Sequence, residues 1–179
     1  MRKAFFYISF IVISCSTNID EKIVELEHYS LSVPGEWFLV QTDGIDSKIT
    51  MLITKSTDTI YLDYGQHVQG FSETIKVHSL ESKVHFDSID WPYRHEMIFS
   101  KNATVEERQG IYLDEYYRYD TIDGRQAKIM LPKVVGKGST GIHFDSLNQK
   151  NEKFTIVGNN LDETVREKLQ KVFYTVEFK

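Results

Sequence analysis

The sequence predicts an α+β fold: a single antiparallel β-sheet-rich domain flanked by few helices, with a C-terminal helix and then a last strand. Two observations carry this prediction. Short runs rich in Val, Ile, Tyr, Phe and Thr alternate with polar residues and are separated by turn residues, which is typical of strands. The segment from Leu161 to about Lys171 instead has apolar residues at helical spacing. A β-sandwich or an open barrel is the alternative architecture.

The first strands are expected before and after the Pro34-Gly35 turn. Residues 29–33 alternate apolar and polar side chains, so their apolar members share one face. The apolar residues 24 and 26 have the opposite parity, which indicates a bulge or a strand start near His28. Further strands are expected over residues 37–40, 49–55, 59–64, 83–87, 96–100, 111–121, 125–131, 141–145 and 153–157.

The hairpin around Asp123-Gly124 has two possible registers. A two-residue loop pairs Arg118 with Ile129, which mixes polar and apolar side chains on both faces. A three-residue loop over residues 122–124, with the glycine in the left-handed conformation, pairs Tyr117 with Ile129 instead. We prefer the three-residue loop, because it separates an apolar face from a polar one.

Capping, charge and apolar spacing together indicate the C-terminal helix. Asn160 is the expected N-cap, and Glu163 completes a capping-box-like pattern. Residues 174–178 should follow the helix as the last strand, and a second, weaker helix is expected between Gly70 and Ser82. The apolar stripe that should pack on the sheet consists of Leu161, Val165, Leu169 and Val172.

The first 15 residues have the layout of a secretory signal. Arg2 and Lys3 precede an apolar run that leads to Cys15, the only cysteine of the 179 residues. As a helix, residues 4–13 would cover roughly 15 Å, against about 30 Å for the hydrocarbon core of a bilayer, so the run is too short to span it. The segment Val12-Ile13-Ser14-Cys15 resembles the lipobox of bacterial lipoproteins.

The lipobox resemblance implies that the Cys15 thiol receives a diacylglyceryl group and that a peptidase removes residues 1–14 as a signal peptide. Residues 15–22 would then form a lipidated tether, and residues 23–179 a single domain. Ser16 is not the aspartate that retains lipoproteins in the inner membrane of many Gram-negative bacteria, so the outer membrane of the cell envelope is the expected location. An ordinary signal peptide, or a short buried strand, is the alternative interpretation.

The charge balance argues against a nucleic-acid partner. Residues 1–14 carry two of the 21 basic residues and none of the 26 acidic ones, so their removal changes the formal net charge from −5 to −7. Nucleic-acid binding depends on clustered Lys and Arg that neutralise phosphates. With Cys15 acylated, no free thiol is left for cysteine catalysis. Membrane lipid and an envelope protein are therefore the expected partners.

Two segments of the domain resemble a known fold. Tyr29–Trp37 has the sequence Tyr-Ser-Leu-Ser-Val-Pro-Gly-Glu-Trp, and Asn160–Phe178 contains the expected helix and last strand. Both are similar to the fold shared by PsbP-like and Mog1-like proteins, an antiparallel sheet between helices. The resemblance implies a non-enzymatic accessory or binding domain, and it assigns no site residues.

Two similar segments supply a candidate metal site. Residues 84–89 have the sequence Val-His-Phe-Asp-Ser-Ile, and residues 142–147 have the sequence Ile-His-Phe-Asp-Ser-Leu. In neighbouring strands, two imidazoles and two carboxylates would share one face and suit a divalent metal. Two half-buried strands with a polar outer face, and no cofactor, are the expectation that we prefer. The four candidate ligands are His85, Asp87, His143 and Asp145.

A tyrosine-rich strand supplies candidate binding residues. The preferred hairpin register directs Tyr112, Tyr116 and Arg118 away from the apolar face, and aromatic side chains offer large contact areas. Core and cross-strand packing is the role that we prefer for these tyrosines, and the three residues are the candidates if a binding face exists.

The lipobox-like segment and the lack of a recognisable catalytic motif lead us to expect an envelope lipoprotein that acts as a non-catalytic binding or accessory domain. A metal-assisted envelope hydrolase and a scaffold or inhibitor of one envelope protein are the alternatives.

Overall fold

The computed structural model describes residues 20–43 and 47–179. Cys15, the lipobox-like segment and the first part of the expected tether lie outside the described residues. Among the helices of the described ranges, none is long and apolar enough to cross a membrane.

The described residues form twelve strands, three α-helices and one 3-10 turn at Arg94–Glu96. The strands are β1 (Glu21–Glu25), β2 (Tyr29–Pro34), β3 (Phe38–Asp43), β4 (Lys48–Ile53), β5 (Thr59–Gly65), β6 (Val77–Ser79), β7 (Ile98–Ser100), β8 (Glu115–Ile122), β9 (Arg125–Pro132), β10 (Ser139–Phe144), β11 (Lys153–Asn159) and β12 (Glu177–Phe178). The helices are α1 (Leu80–Ser88), α2 (Ala103–Gln109) and α3 (Glu163–Phe173).

Seven strands form the main sheet, in the order β3-β4-β5-β11-β10-β9-β8, and every neighbouring pair is antiparallel. A second sheet has the order β1-β2-β12, and β6 pairs with β7 in parallel. An α+β fold that is rich in antiparallel sheet and ends in a helix and a strand is therefore confirmed. Residues 111–114 lie outside the sheet, so β8 begins later than expected.

The core lies between the main sheet and a layer formed by β2 and α3. The ring of Tyr29 on β2 lies 4.2 Å from that of Phe154 on β11, measured between centroids. Trp37, which follows the Pro34-Gly35 turn, is 1% exposed in this core. The strand start expected near His28 is also confirmed, because β1 and β2 form a hairpin that turns at residues 26–28.

The predicted apolar stripe faces the core, since Leu161, which precedes α3, and Val165, Leu169 and Val172 of α3 are all buried. Its N-cap is Asp162, whose carboxylate accepts a hydrogen bond from the Val165 amide at 2.9 Å. The prediction of Asn160 as N-cap is wrong. Asn160 has a φ of +52°, and its side-chain oxygen accepts a hydrogen bond from the Gly138 amide at 2.9 Å. A residue in the left-handed conformation cannot supply the extended backbone of an N-cap.

The β8–β9 hairpin has a two-residue loop, so the preferred three-residue loop is wrong. Arg118 pairs with Ile129 across the two strands. Asp123 and Gly124 have φ values of +49° and +69°. Two consecutive positive values are what a type I′ turn requires, and its twist matches that of the flanking strands. The geometry of the turn therefore sets the register of β8 and β9, even though this register mixes polar and apolar side chains on each face of β8.

Residues 83–87 belong to a helix, so the strand predicted there is wrong. Ser79 caps α1 by accepting a hydrogen bond from the Ser82 amide at 3.2 Å, and Lys83 pairs with Asp87 at 2.9 Å one helical turn later. No side chain of α1 is buried, so core packing imposes no helical spacing of apolar residues on its sequence. The helix expected between Gly70 and Ser82 begins only at Leu80.

Residues 66–76, here called the strap, cross the face of the main sheet that is opposite the core. The ring of Phe71 packs over Gly141 on β10, where a Cβ atom would lie 2.7 Å from that ring. Further along the strap, the carbonyl oxygen of Ser72 accepts a hydrogen bond from the Tyr117 hydroxyl of β8 at 2.6 Å. The strap therefore covers the β8–β10 side of this face.

Candidate functional site

A cleft of about 270 Å³ lies beside the strap, on the face of the main sheet opposite the core. Its floor belongs to the adjacent strands β8, β9 and β10, which form the sheet half that the strap crosses. The residues that line it are Gly70, Tyr119, Gln126, Lys128, His143 and Asp145.

Strand pairing places the polar residues of this region in one row. Asp63 of β5 pairs with Thr155 of β11, which in turn pairs with His143 of β10. His143 pairs with Lys128 of β9, and Lys128 pairs with Tyr119 of β8. Directly opposite residues of an antiparallel sheet share a face, with Cβ atoms about 4.5–5.5 Å apart. Five neighbouring strands therefore each contribute one polar side chain to the row.

His143 lies at the centre of the row, with its side chain 4% exposed. Its Nδ1 lies 2.7 Å from the Thr155 hydroxyl, and its Nε2 lies 3.6 Å from a carboxylate oxygen of Asp145. Gly70 of the strap packs above it, since a Cβ atom there would lie 3.2 Å from Nε2. Burial lowers the pKa of His143 more than the Asp145 carboxylate raises it. Burial therefore favours the neutral form of the imidazole.

A hydroxyl, an imidazole and a carboxylate are also the components of a hydrolytic triad. In such a triad the hydroxyl must reach the substrate, but Thr155 is only 6% exposed. The solvent-facing member is Asp145, whose side chain is 81% exposed and pairs with Lys153 at 3.2 Å. The hydroxyl of Thr155 therefore orients the imidazole of His143 from below.

Glu73 of the strap joins the strap to the floor of the cleft. Its carboxylate lies 2.7 Å from the Lys128 ammonium and accepts a hydrogen bond from the Tyr119 hydroxyl. These two contacts hold the pKa of Glu73 below its usual value, and the same carboxylate raises the pKa of Lys128. Together with the hydrogen bond of Tyr117 to the strap, they fix the strap over His143.

The candidate metal ligands do not share a face. His143 and Asp145 both line the cleft, but His85 and Asp87 lie on α1, which packs against β6 and β7. Two neighbouring strands were the premise of that site, and one of the two segments is helical. In the described ranges, 20–43 and 47–179, no group of three or more His, Cys, Asp or Glu residues is placed to hold a metal ion.

The candidate binding residues Tyr112, Tyr116 and Arg118 lie away from the cleft. The hydroxyl of Tyr112 donates to Glu106 of α2 at 2.8 Å, and Arg118 donates to the Tyr174 hydroxyl at 3.1 Å. Because of the two-residue turn, Tyr116 and Arg118 share the face of the buried β9 residues. The expectation that they point away from the apolar face is therefore wrong.

Sequence reasoning missed Tyr119, Lys128 and Glu73. The Asp123-Gly124 pair was the signal for the first two, because a type I′ turn makes Tyr119 and Lys128 direct cross-strand neighbours. For Glu73 the sequence holds no comparable signal, since it reaches β8 from 46 positions earlier in the chain. No protein-family model and no curated protein matches this chain.

Proposed function

We propose that this protein is a lipid-anchored lipoprotein of the bacterial envelope whose domain binds a ligand or partner and catalyses no reaction. The anchor is supported by the lipobox-like segment that ends at Cys15. The binding role is supported by the cleft at His143, where a buried imidazole is oriented and partly covered by the strap.

One observation carries the non-catalytic interpretation: the charged groups of the cleft are already paired. Lys128 is held by Glu73, and Asp145 by Lys153. The hydroxyl beside His143 is buried, so it is poorly placed to attack a substrate. A charged ligand would have to break an ion pair, whereas a polar uncharged group can bind the exposed amide of Gln126 and, when the strap opens, the imidazole of His143. We therefore expect an uncharged polar group as the ligand, either a small molecule or part of an envelope protein.

Site-specific photo-cross-linking in intact cells tests the binding role. A photo-reactive amino acid at Gln126 lies at the cleft, and one at Glu167 lies on the exposed side of α3 as the matched control. We expect one dominant adduct from position 126 that position 167 does not give. The same set of adducts from both positions would contradict a binding site at the cleft.

Metabolic labelling with an alkyne fatty acid tests the anchor. The natural chain should incorporate the label and fractionate with the outer membrane, whereas a Cys15→Ala variant should not be labelled. Continued labelling of the variant, or no labelling of either chain, would show that Cys15 is not the lipid attachment site.

A further inference from the structure

The end of the main sheet that the strap does not cross carries an exposed apolar face. In the sheet register, Phe38 of β3 pairs with Ile53 of β4, and Val40 pairs with Met51. Met51 in turn pairs with Tyr61 of β5. These five side chains, here called the β3 face, therefore form one continuous patch. Phe38 is 65% exposed, Tyr61 42% and Val40 41%.

The described chain begins directly beside the β3 face. The carbonyl oxygen of Asp20 accepts a hydrogen bond from the Gly35 amide at 2.6 Å. Two residues later, the Lys22 ammonium donates to the Gly35 carbonyl oxygen at 3.1 Å and lies 5.8 Å from the centre of the Phe38 ring. These contacts fix the start of β1 against the turn that leads into β3.

The chain length between this point and Cys15 limits how far away an anchor can be. Asp20 follows Cys15 by five residues, which reach at most about 17 Å when fully extended at ~3.3 Å per residue. An acylated Cys15 therefore brings the bilayer surface within that distance of the residues that border Phe38. The half of the sheet that carries the cleft lies several strands further away.

We propose that the β3 face rests on the lipid surface to which Cys15 is anchored. This inference rests on the acylation of Cys15 in the proposed function. The chemistry of the patch suits a membrane interface, because Phe38 and the aliphatic side chains contact acyl chains and Tyr61 adds a hydroxyl at headgroup level. Lys22 lies at its rim, where an ammonium meets lipid phosphates.

Because the chain is anchored, a patch of modest size is enough to hold the β3 face on the membrane. A tethered face encounters the membrane at a high effective concentration, so each contact adds to an attachment that already exists. A second copy of the chain is the competing occupant, since β3 is an edge strand and edge strands pair readily. The docked orientation leaves the His143 cleft on the distant half of the sheet, accessible to an envelope partner.

A single introduced thiol tests the docking. Cys15 is the only cysteine and is occupied by lipid in the proposed mature protein, so Phe38→Cys provides one free thiol. Val84→Cys is the matched control, because Val84 is an apolar residue of α1 and is 70% exposed. Both proteins are purified from cells as full chains and reconstituted into vesicles of phosphatidylethanolamine and phosphatidylglycerol. Tyr61→Cys serves as a second position on the β3 face.

We expect a water-soluble maleimide to modify position 38 at least about tenfold more slowly than position 84, the factor that corresponds to a docked state favoured by about 1.4 kcal/mol. A fluorophore at position 38 should be quenched by spin-labelled lipids, and one at position 84 should not. Equal modification rates and no lipid quenching at positions 38 and 61 would overturn the docking. Protection that increases with protein density without lipid quenching would assign the face to a second copy and overturn it as well.

Mass spectrometry of the same samples separates the two proposals. If Cys15 carries acyl groups and the β3 face stays in water, the docking fails and the anchor stands. If Cys15 carries none, the anchor fails, and the assignment of the lipid surface to the β3 face falls with it.

Discussion

Replacing Glu73 with glutamine should loosen the strap over His143, because one carboxylate holds both Lys128 and Tyr119. The Lys128–Glu73 pair is partly screened, with side chains 24% and 40% exposed, so its loss should cost about 0.5–1 kcal/mol. The exposed hydrogen bond from Tyr119 loses its charged acceptor but keeps a neutral one. A loss of about 1 kcal/mol corresponds to a roughly fivefold larger population with the strap open.

Histidine modification measures this opening directly. Diethyl pyrocarbonate reacts with exposed imidazoles, so His143, which is 4% exposed, should react only when the strap opens. The side chain of His95 is 72% exposed and serves as an internal reference in the same molecule. Glu73→Gln should raise the ratio of His143 to His95 modification about fivefold, in line with the same ~1 kcal/mol.

Glu81→Gln is the matched control for that measurement. Glu81 lies exposed on α1, and the described structure shows no ion pair for it. Its replacement should leave the modification ratio unchanged. A ratio that also stays unchanged in Glu73→Gln would refute the role of Glu73 in holding the strap.

Three further predictions concern pH, the hairpin turn and the core. Burial lowers the pKa of His143, so below about pH 6.5 the unfolded chain binds a proton that the folded chain does not. The free energy of unfolding should therefore fall from pH 7 to pH 5, and urea denaturation of His143→Gln should show a smaller fall. The free energy of unfolding, measured by urea denaturation, should be about 1 kcal/mol lower for Asp123→Ala than for Asp123→Gly. Both variants lose the same side-chain contacts, but only alanine is strained at a φ of +49°. Equal free energies of unfolding would contradict the type I′ turn. Leu169→Ala should lower the free energy of unfolding by about 2–5 kcal/mol, since Leu169 is fully buried. Glu167→Ala, on the exposed side of α3, should change it by less than about 0.5 kcal/mol, and similar losses in the two variants would contradict the packing of α3.

Elements that bury one face were predictable from sequence, because burial imposes a period on the chain. The apolar stripe of α3 and the alternation of β2 both point into the core as expected. Helix α1 buries no side chain, so burial imposes no helical period on its sequence. The strand-like alternation of residues 83–87 therefore led to the wrong prediction of a strand. The exact N-cap of α3 was missed as well, because Asn160 and Asp162 are both good capping residues and only backbone φ distinguishes them.

The candidate site was predictable only in part. His143 and Asp145 were identified as a pair, and alternate positions along one strand do place them together. Lys128 and Tyr119 are cross-strand neighbours in the cleft only in the observed register of β8 and β9. A loop that is one residue longer changes every pair in that register. The position of the Glu73 carboxylate depends on the path of the strap across the sheet, and the sequence carries no local pattern that predicts this path.

The sequence alone determined the strand-rich α+β class, the amphipathic C-terminal helix, the acidic charge balance and the single cysteine, since these follow from composition and local periodicity. The tertiary structure decided which side chains meet at His143, and it decided that the β3 face lies beside the start of the described chain. The physical reason is that contacts between distant segments depend on loop geometry and strand register, and neither leaves a periodic signature in the residues that it brings together.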